Sequence, residues 1–191
     1  MGITLTHKQM TDMEHAMIEY TPTISPYADP TDAPKIVSVV GGGSTFGLLL
    51  SVRLSDGAVR TMMFNPVVAQ ALIQLFHVAN QERRWWRDDG VPGDMPFSEE
   101  ELSVMTKAVM DNMPPVPRMA EYQNAAHVVS LFGGSNALGL LLNLRLDSGD
   151  VISWFLSPIV VLHLFTITSK CAERADWWDE TGEFILAKPD A

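Results

Sequence analysis

The sequence predicts an α+β fold: an internally duplicated α-β-β-β-α unit, with antiparallel hairpin-based sheets covered by helices and the two copies related by a pseudo-twofold axis. Three observations predict it. First, IVSVVGGGSTFGLLLSVRLSDGAVRTMMF, from Ile36, matches VVSLFGGSNALGLLLNLRLDSGDVISWFL, from Val128, at a fixed offset of 92 residues and without a gap. Scarce residue types coincide: Ser38 with Ser130, Arg53 with Arg145, Pro66 with Pro158, and Trp85-Trp86 with Trp177-Trp178. Second, a strict apolar alternation follows the glycines in each copy. Third, Ser55-Asp56-Gly57 and Asp147-Ser148-Gly149 have hairpin-turn chemistry, each ending on a glycine that tolerates positive φ.

Each copy begins with a helix, over about residues 6–20 and 98–112. Thr6 with Gln9 and Ser98 with Glu101 have the spacing of reciprocal capping boxes. Apolar residues then recur at Met10, Met13 and Met17 and at Leu102, Met105 and Val109, and Pro22 and Pro114 stop the two patterns at equivalent places. Proline-rich linkers follow and are expected to run over the surface. A short strand, Lys35–Val40 or Ala126–Phe132, leads into glycines read as a tight turn or bulge. In the next strand Leu48, Leu50, Val52 and Leu54 share one face, and Leu49, Ser51, Arg53 and Ser55 the other. The second copy repeats this with Leu140, Leu142, Leu144 and Leu146. After the third strand, Asn65-Pro66 and Ser157-Pro158 place a capping residue before a first-turn proline and open the second helix.

Residues 1–92 are therefore the first repeat and 93–191 the second, with a short C-terminal tail. A three-stranded sheet with two helices is small for an independent core, so the copies are expected to pack together as one unit. One continuous six-stranded sheet and two sheets face to face both satisfy this. Two tethered domains, divided at Asp88–Phe97, are the alternative.

Composition narrows the function classes. Of 191 residues 47% are apolar and 19% charged, which excludes a disordered chain. The 13 Lys and Arg against 23 Asp and Glu give a net charge of −10, leaving no broad basic surface for nucleic acid. Cys171 is the one cysteine, so no internal disulfide framework exists. No secretory signal pattern opens the chain and no apolar run has the length of a membrane span, so a cytoplasmic protein without membrane partners is expected.

The motifs carry little chemistry. The glycine runs at 41–43 and 133–134 are followed by a strand rather than a helix N-terminus, and no lysine stands where a phosphate loop needs one. The five histidines lack metal-ligand spacing, and no serine occupies a nucleophile elbow. No catalytic residue, cofactor or metal is expected. Two sets of residues remain. Arg53 and Arg145 sit centrally on the polar strand face and form a candidate anion site, with a structural hydrogen bond as the plainer reading. Trp85, Trp86, Trp177 and Trp178 are candidate interface residues, locking the copies together or anchoring another chain. The expected function is a non-enzymatic interaction or assembly protein, with a protein partner or a homo-oligomer. A small-molecule binder with its site between the repeats is the alternative, and a small enzyme a third.

Overall fold

The computed structural model describes residues 6–21, 27, 29–44, 46–175 and 177. Helix α1 spans His7–Glu19, followed by β1 (Lys35–Ser44), β2 (Gly47–Leu54), β3 (Val59–Phe64) and α2 (Pro66–Arg83). The second repeat gives α3 (Glu99–Asp111), β4 (Ala126–Asn136), β5 (Gly139–Leu146), β6 (Val151–Leu156) and α4 (Pro158–Ala175). Both capping boxes form as expected, with Thr6 and Ser98 accepting from the backbone N–H of Gln9 and Glu101. Asn65 caps α2 by accepting from Val68 N–H at 2.9 Å. Gly57 and Gly149 take φ of 87° and 92°, the left-handed values that the two hairpin turns require.

The six strands make one mixed sheet in chain order, closed into a barrel. Within each repeat the strands form an antiparallel meander. Between repeats the pairing is parallel and short: Met62–Phe64 of β3 against Ala126–Val128 of β4, and Lys35-Ile36 of β1 against Phe155-Leu156 of β6. The fold is α+β with pseudo-twofold duplication, and closure removes the exposed edges that an isolated three-stranded sheet would carry.

The helices are interleaved. Helix α2 packs chiefly on β4 and α4 on β1, so each long helix covers a strand of the other repeat, and α1 and α3 likewise lie on β4 and β1. The glycines explain this crossing. They do not form the turn expected of them but continue β1 and β4 to Ser44 and Asn136. A Cβ on Gly43 would stand 2.7 Å from the Cβ of Cys171, and one on Gly133 would stand 2.7 Å from Leu75 Cδ2. A side chain at Gly43 would meet the α4 backbone itself, Cys171 O at 2.9 Å, whereas one at Gly133 would displace the end of the Leu75 side chain of α2. The bulge lies upstream, where the β1–β2 register shifts between Ile36 and Ser38 and the β4–β5 register between Val128 and Ser130.

One apolar cluster takes Leu48, Leu50, Val52 and Leu54 together with Leu140, Leu142 and Leu144, and the faces of α2 and α4 that carry Leu72, Phe76 and Leu164. Each fully buried leucine in it contributes roughly 1.5–3 kcal/mol from burial alone. The opposite sheet face is covered by the linkers, again crosswise: Ala33 packs on Leu141 and Phe155, and Ala125 on Leu49 and Met63. At the bulges Ser38 donates to the Val109 carbonyl at 2.6 Å and Ser130 to the Met17 carbonyl at 2.5 Å. Each buried hydroxyl thus holds the first helix of the other repeat. No helix among the described residues is long and apolar enough to cross a membrane.

Because both sheet faces of a repeat are covered by the other repeat, a single repeat has no complete core. Residues 1–92 expressed alone are expected to give no folded monomer. Folded signal in circular dichroism should appear only with dimerisation or on mixing with 93–191, as followed by sedimentation velocity; a stable monomeric half would contradict the interleaving.

Candidate functional site

The site follows from how α2 ends. Arg84 closes the helix in the left-handed conformation, φ 53°, which costs a non-glycine residue about 1 kcal/mol. This turn sends the two adjoining tryptophans in different directions. Trp85 is fully buried and its Nε1–H donates at 3.3 Å to the carbonyl of Ala137, in the turn between β4 and β5. Trp177, its counterpart, is also buried and donates at 2.7 Å to the Ser44 carbonyl at the end of β1. Each therefore reaches a hairpin of the other repeat. Trp178 lies outside the described residues.

Trp86 is only partly buried and is held by three hydrogen bonds. The side-chain amide of Asn80, six residues earlier on α2, donates to its carbonyl and accepts from its N–H, both at 2.9 Å. Its Nε1–H donates at 2.9 Å to the Pro158 carbonyl in the first turn of α4. The following loop folds back on itself. Gly93 N–H reaches the Trp85 carbonyl and Asp94 N–H the Arg84 carbonyl, each at 2.7 Å, and an isolated bridge pairs Trp86 with Pro92.

Between α2, α4 and this loop is a cleft with an inner compartment of about 270 Å³. Phe76 and Trp86 from the first repeat face Val161, Leu162 and Phe165 from the second. An open outer compartment of about 590 Å³ adjoins it, sharing Asn80, Trp86, Arg87 and Asp88 and adding Gln81, Arg84 and Asp94. Arg87 is paired at 3.2 Å with Asp89 on the exposed rim. The cleft is thus apolar and aromatic inside and mixed in charge at its mouth.

The repeat comparison shows which cleft residues the duplicated fold does not demand. Phe76, His77 and Asn80 correspond to Thr168, Ser169 and Ala172, while Val161, Leu162 and Phe165 correspond to Ala69, Gln70 and Ile73. At these positions the shared framework accepts smaller or more polar side chains, and the cleft takes the other member of each pair. Divergence at shared positions is the signal that could have pointed to Asn80 and Phe165, residues that the apolar stripes of α2 and α4 leave inconspicuous.

The two arginines are not part of this cleft. Arg53 Nε donates at 2.9 Å to the Asn112 carbonyl, the C-cap of α3, and Nη1 at 3.3 Å to the Gly57 carbonyl. A cation at a helix C-terminus complements the helix dipole. Arg145 is half-buried on β5 and makes no hydrogen bond or ion pair with the described residues. Among the described residues no three His, Cys, Asp or Glu side chains converge as a metal site. Burial pushes the Cys171 thiol up, against the opposing influence of nearby Arg174 and the Gly43 backbone. On α4, desolvation pulls His163 below the ordinary imidazole value, against a hydrogen bond with the Val39 backbone.

Because its folded-state pKa lies below the unfolded one, His163 binds fewer protons folded than unfolded in the acid range. Its contribution is present above the ordinary histidine pKa and is lost as pH falls from there through the lower folded-state value. The urea midpoint is expected to decrease as pH falls below about 6.5, with a shallower decrease in His163→Gln. Asn80→Ala removes both side-chain bonds to the Trp86 backbone. It should cost about 1–3 kcal/mol in urea unfolding and speed hydrogen exchange at the Trp86 indole N–H; an unchanged exchange rate would mean that Asn80 does not hold the ring. No protein-family model matches the chain, and neither the curated proteins nor the solved structures give a match, which leaves the geometry of the site as the ground for its function.

Proposed function

We propose that the protein is a non-catalytic binding protein whose cleft at Trp86 takes a small, largely apolar aromatic molecule. The observation that carries this is the fixing of Trp86 by Asn80 and Pro158 while part of its surface remains open to a cavity walled by both repeats. A rigid aromatic wall loses little freedom when a ligand binds, so more of the stacking and burial energy appears as affinity. The concave, mostly apolar inner compartment with polar groups at its mouth has the general form of a small-ligand site. Enclosure between two helices favours this over the docking of a flat protein surface, since Trp85 and Trp177 are turned into the chain's own interior. On this reading the ligand lies between the repeats, against Trp86.

Titration of the intact protein with 2-naphthol, a neutral aromatic probe, is expected to give saturable shifts of the Trp86 indole N–H in nitrogen–proton correlation spectra. Leu162→Trp should fill the inner compartment and weaken binding at least about tenfold, equivalent to about 1.4 kcal/mol, with unchanged circular dichroism and melting temperature. Absence of a Trp86 shift, or equal binding by a folded Leu162→Trp protein, would refute the assignment.

A further inference from the structure

The parallel seams that close the barrel carry a second pair of cavities, independent of the Trp86 cleft. Each seam is only two or three residue pairs long, with the first helix of one repeat lying above it. Beneath α3, at the β1–β6 seam, is a cavity of about 340 Å³; beneath α1, at the β3–β4 seam, is one of about 260 Å³. Their linings correspond at the 92-residue offset: Met105 with Met13, Phe155 with Met63, Ile36 with Val128, and Leu138 with Phe46. The same void therefore occurs twice because the backbone is duplicated.

The two linings differ in chemistry. Beneath α1, Tyr122 stands edge-on between Phe46, at a centroid distance of 5.9 Å, and His127, at 6.2 Å, and itself lines the cavity. Asn65 and Gln9 add polar surface there. Beneath α3, the linker contributes the smaller Thr31, and Ile36, Phe97, Met105, Val109, Phe155 and Val160 make a continuous apolar trough. At this site Lys35 replaces His127 and Ser157 replaces Asn65. The Lys35 ammonium makes no hydrogen bond or ion pair with the described residues, and Ser157 Oγ accepts only a long bond, 3.4 Å, from Val160 N–H. Its O–H donates to none of the described residues. A mostly apolar trough bearing one cation matches a molecule with an apolar body and a single negative end.

We infer that the cavity beneath α3 binds a small amphiphile with one anionic headgroup of the carboxylate class. The headgroup meets Lys35 and the Ser157 hydroxyl, and the apolar body lies along Met105, Val109, Phe155 and Val160. Burial of the apolar body supplies most of the affinity, and the exposed ammonium decides which headgroup is accepted. The site beneath α1, shared with Tyr122 and lacking the ammonium, does not take this ligand.

The test uses the intact protein and three probes of equal chain length, octanoate, 1-octanol and octyltrimethylammonium, each below its micellar concentration. Correlation spectra are expected to show octanoate shifting the amides of residues 35–37 and 105–109, 1-octanol doing so more weakly, and the cation not at all. Lys35→Met, which keeps the stem and removes the charge, should weaken octanoate about fivefold and leave 1-octanol unchanged. Ala108→Trp should abolish both, with Met105→Trp as the second filling variant if the first unfolds. Equal affinity of octanoate and 1-octanol, an unaffected Lys35→Met protein, or shifts confined to the Trp86 loop or to the cavity beneath α1 would each overturn the inference. Failure here leaves the naphthol result at Trp86 untouched, because the two sites are read from separate resonances.

Discussion

The close approach of each long helix to a strand of the opposite repeat governs this fold. Gly43 on β1 leaves no room for a Cβ against the Cys171 backbone, so α4 can lie directly on that strand, and Gly133 on β4 gives space to the Leu75 side chain of α2. Had these helices covered their own meanders, the two repeats could have remained separable domains. Crossed over, they force the sheets together, and the short parallel seams at Lys35-Ile36 and Met62–Phe64 close the barrel around one shared core. The edge strands that would otherwise invite intermolecular pairing then become internal contacts.

Around that crossing the molecule places symmetric polar clasps. Ser38 and Ser130 each bond a carbonyl near the end of the other repeat's first helix, and Trp85 and Trp177 each bond a carbonyl of the other repeat's hairpin. All four donors lie in buried surroundings, where an unpaired polar group would be costly, so each clasp fixes register as well as adding stability. Arg53 adds a related contact to the α3 C-cap at the molecular surface. The residues that recur at the 92-residue offset are thus largely those the duplicated framework uses twice.

Ligand chemistry resides where the copies part company. Asn80 against Ala172 fixes Trp86, Phe165 against Ile73 walls the cleft, and Lys35 against His127 gives one seam cavity a cation. A duplicated fold provides each pocket position twice, and a side chain can change in one copy while the other still shows what the framework tolerates. Function can then develop in one copy without destabilising the common core.

Much of the local structure was legible in the sequence. Capping boxes at Thr6 and Ser98, the Asn65-Pro66 and Ser157-Pro158 helix starts, the alternation from Leu48 to Leu54 and the glycine-closed hairpins all depend on residues a few positions apart, whose preferences are set by backbone geometry. The repeat itself announced the pseudo-twofold relation. The sequence left open whether the meanders share a sheet, and it assigned the glycines to a turn or bulge, because the reason for one of them, Gly43, is a helix residue 128 positions away, Cys171. It paired Trp85 with Trp86 as equivalents, whereas the left-handed turn at Arg84 buries one and leaves the other on a cleft. Cavities and clasps are made by side chains meeting across the pseudodyad. Only the closed tertiary structure could decide them, since no local preference records which distant surface a residue will face.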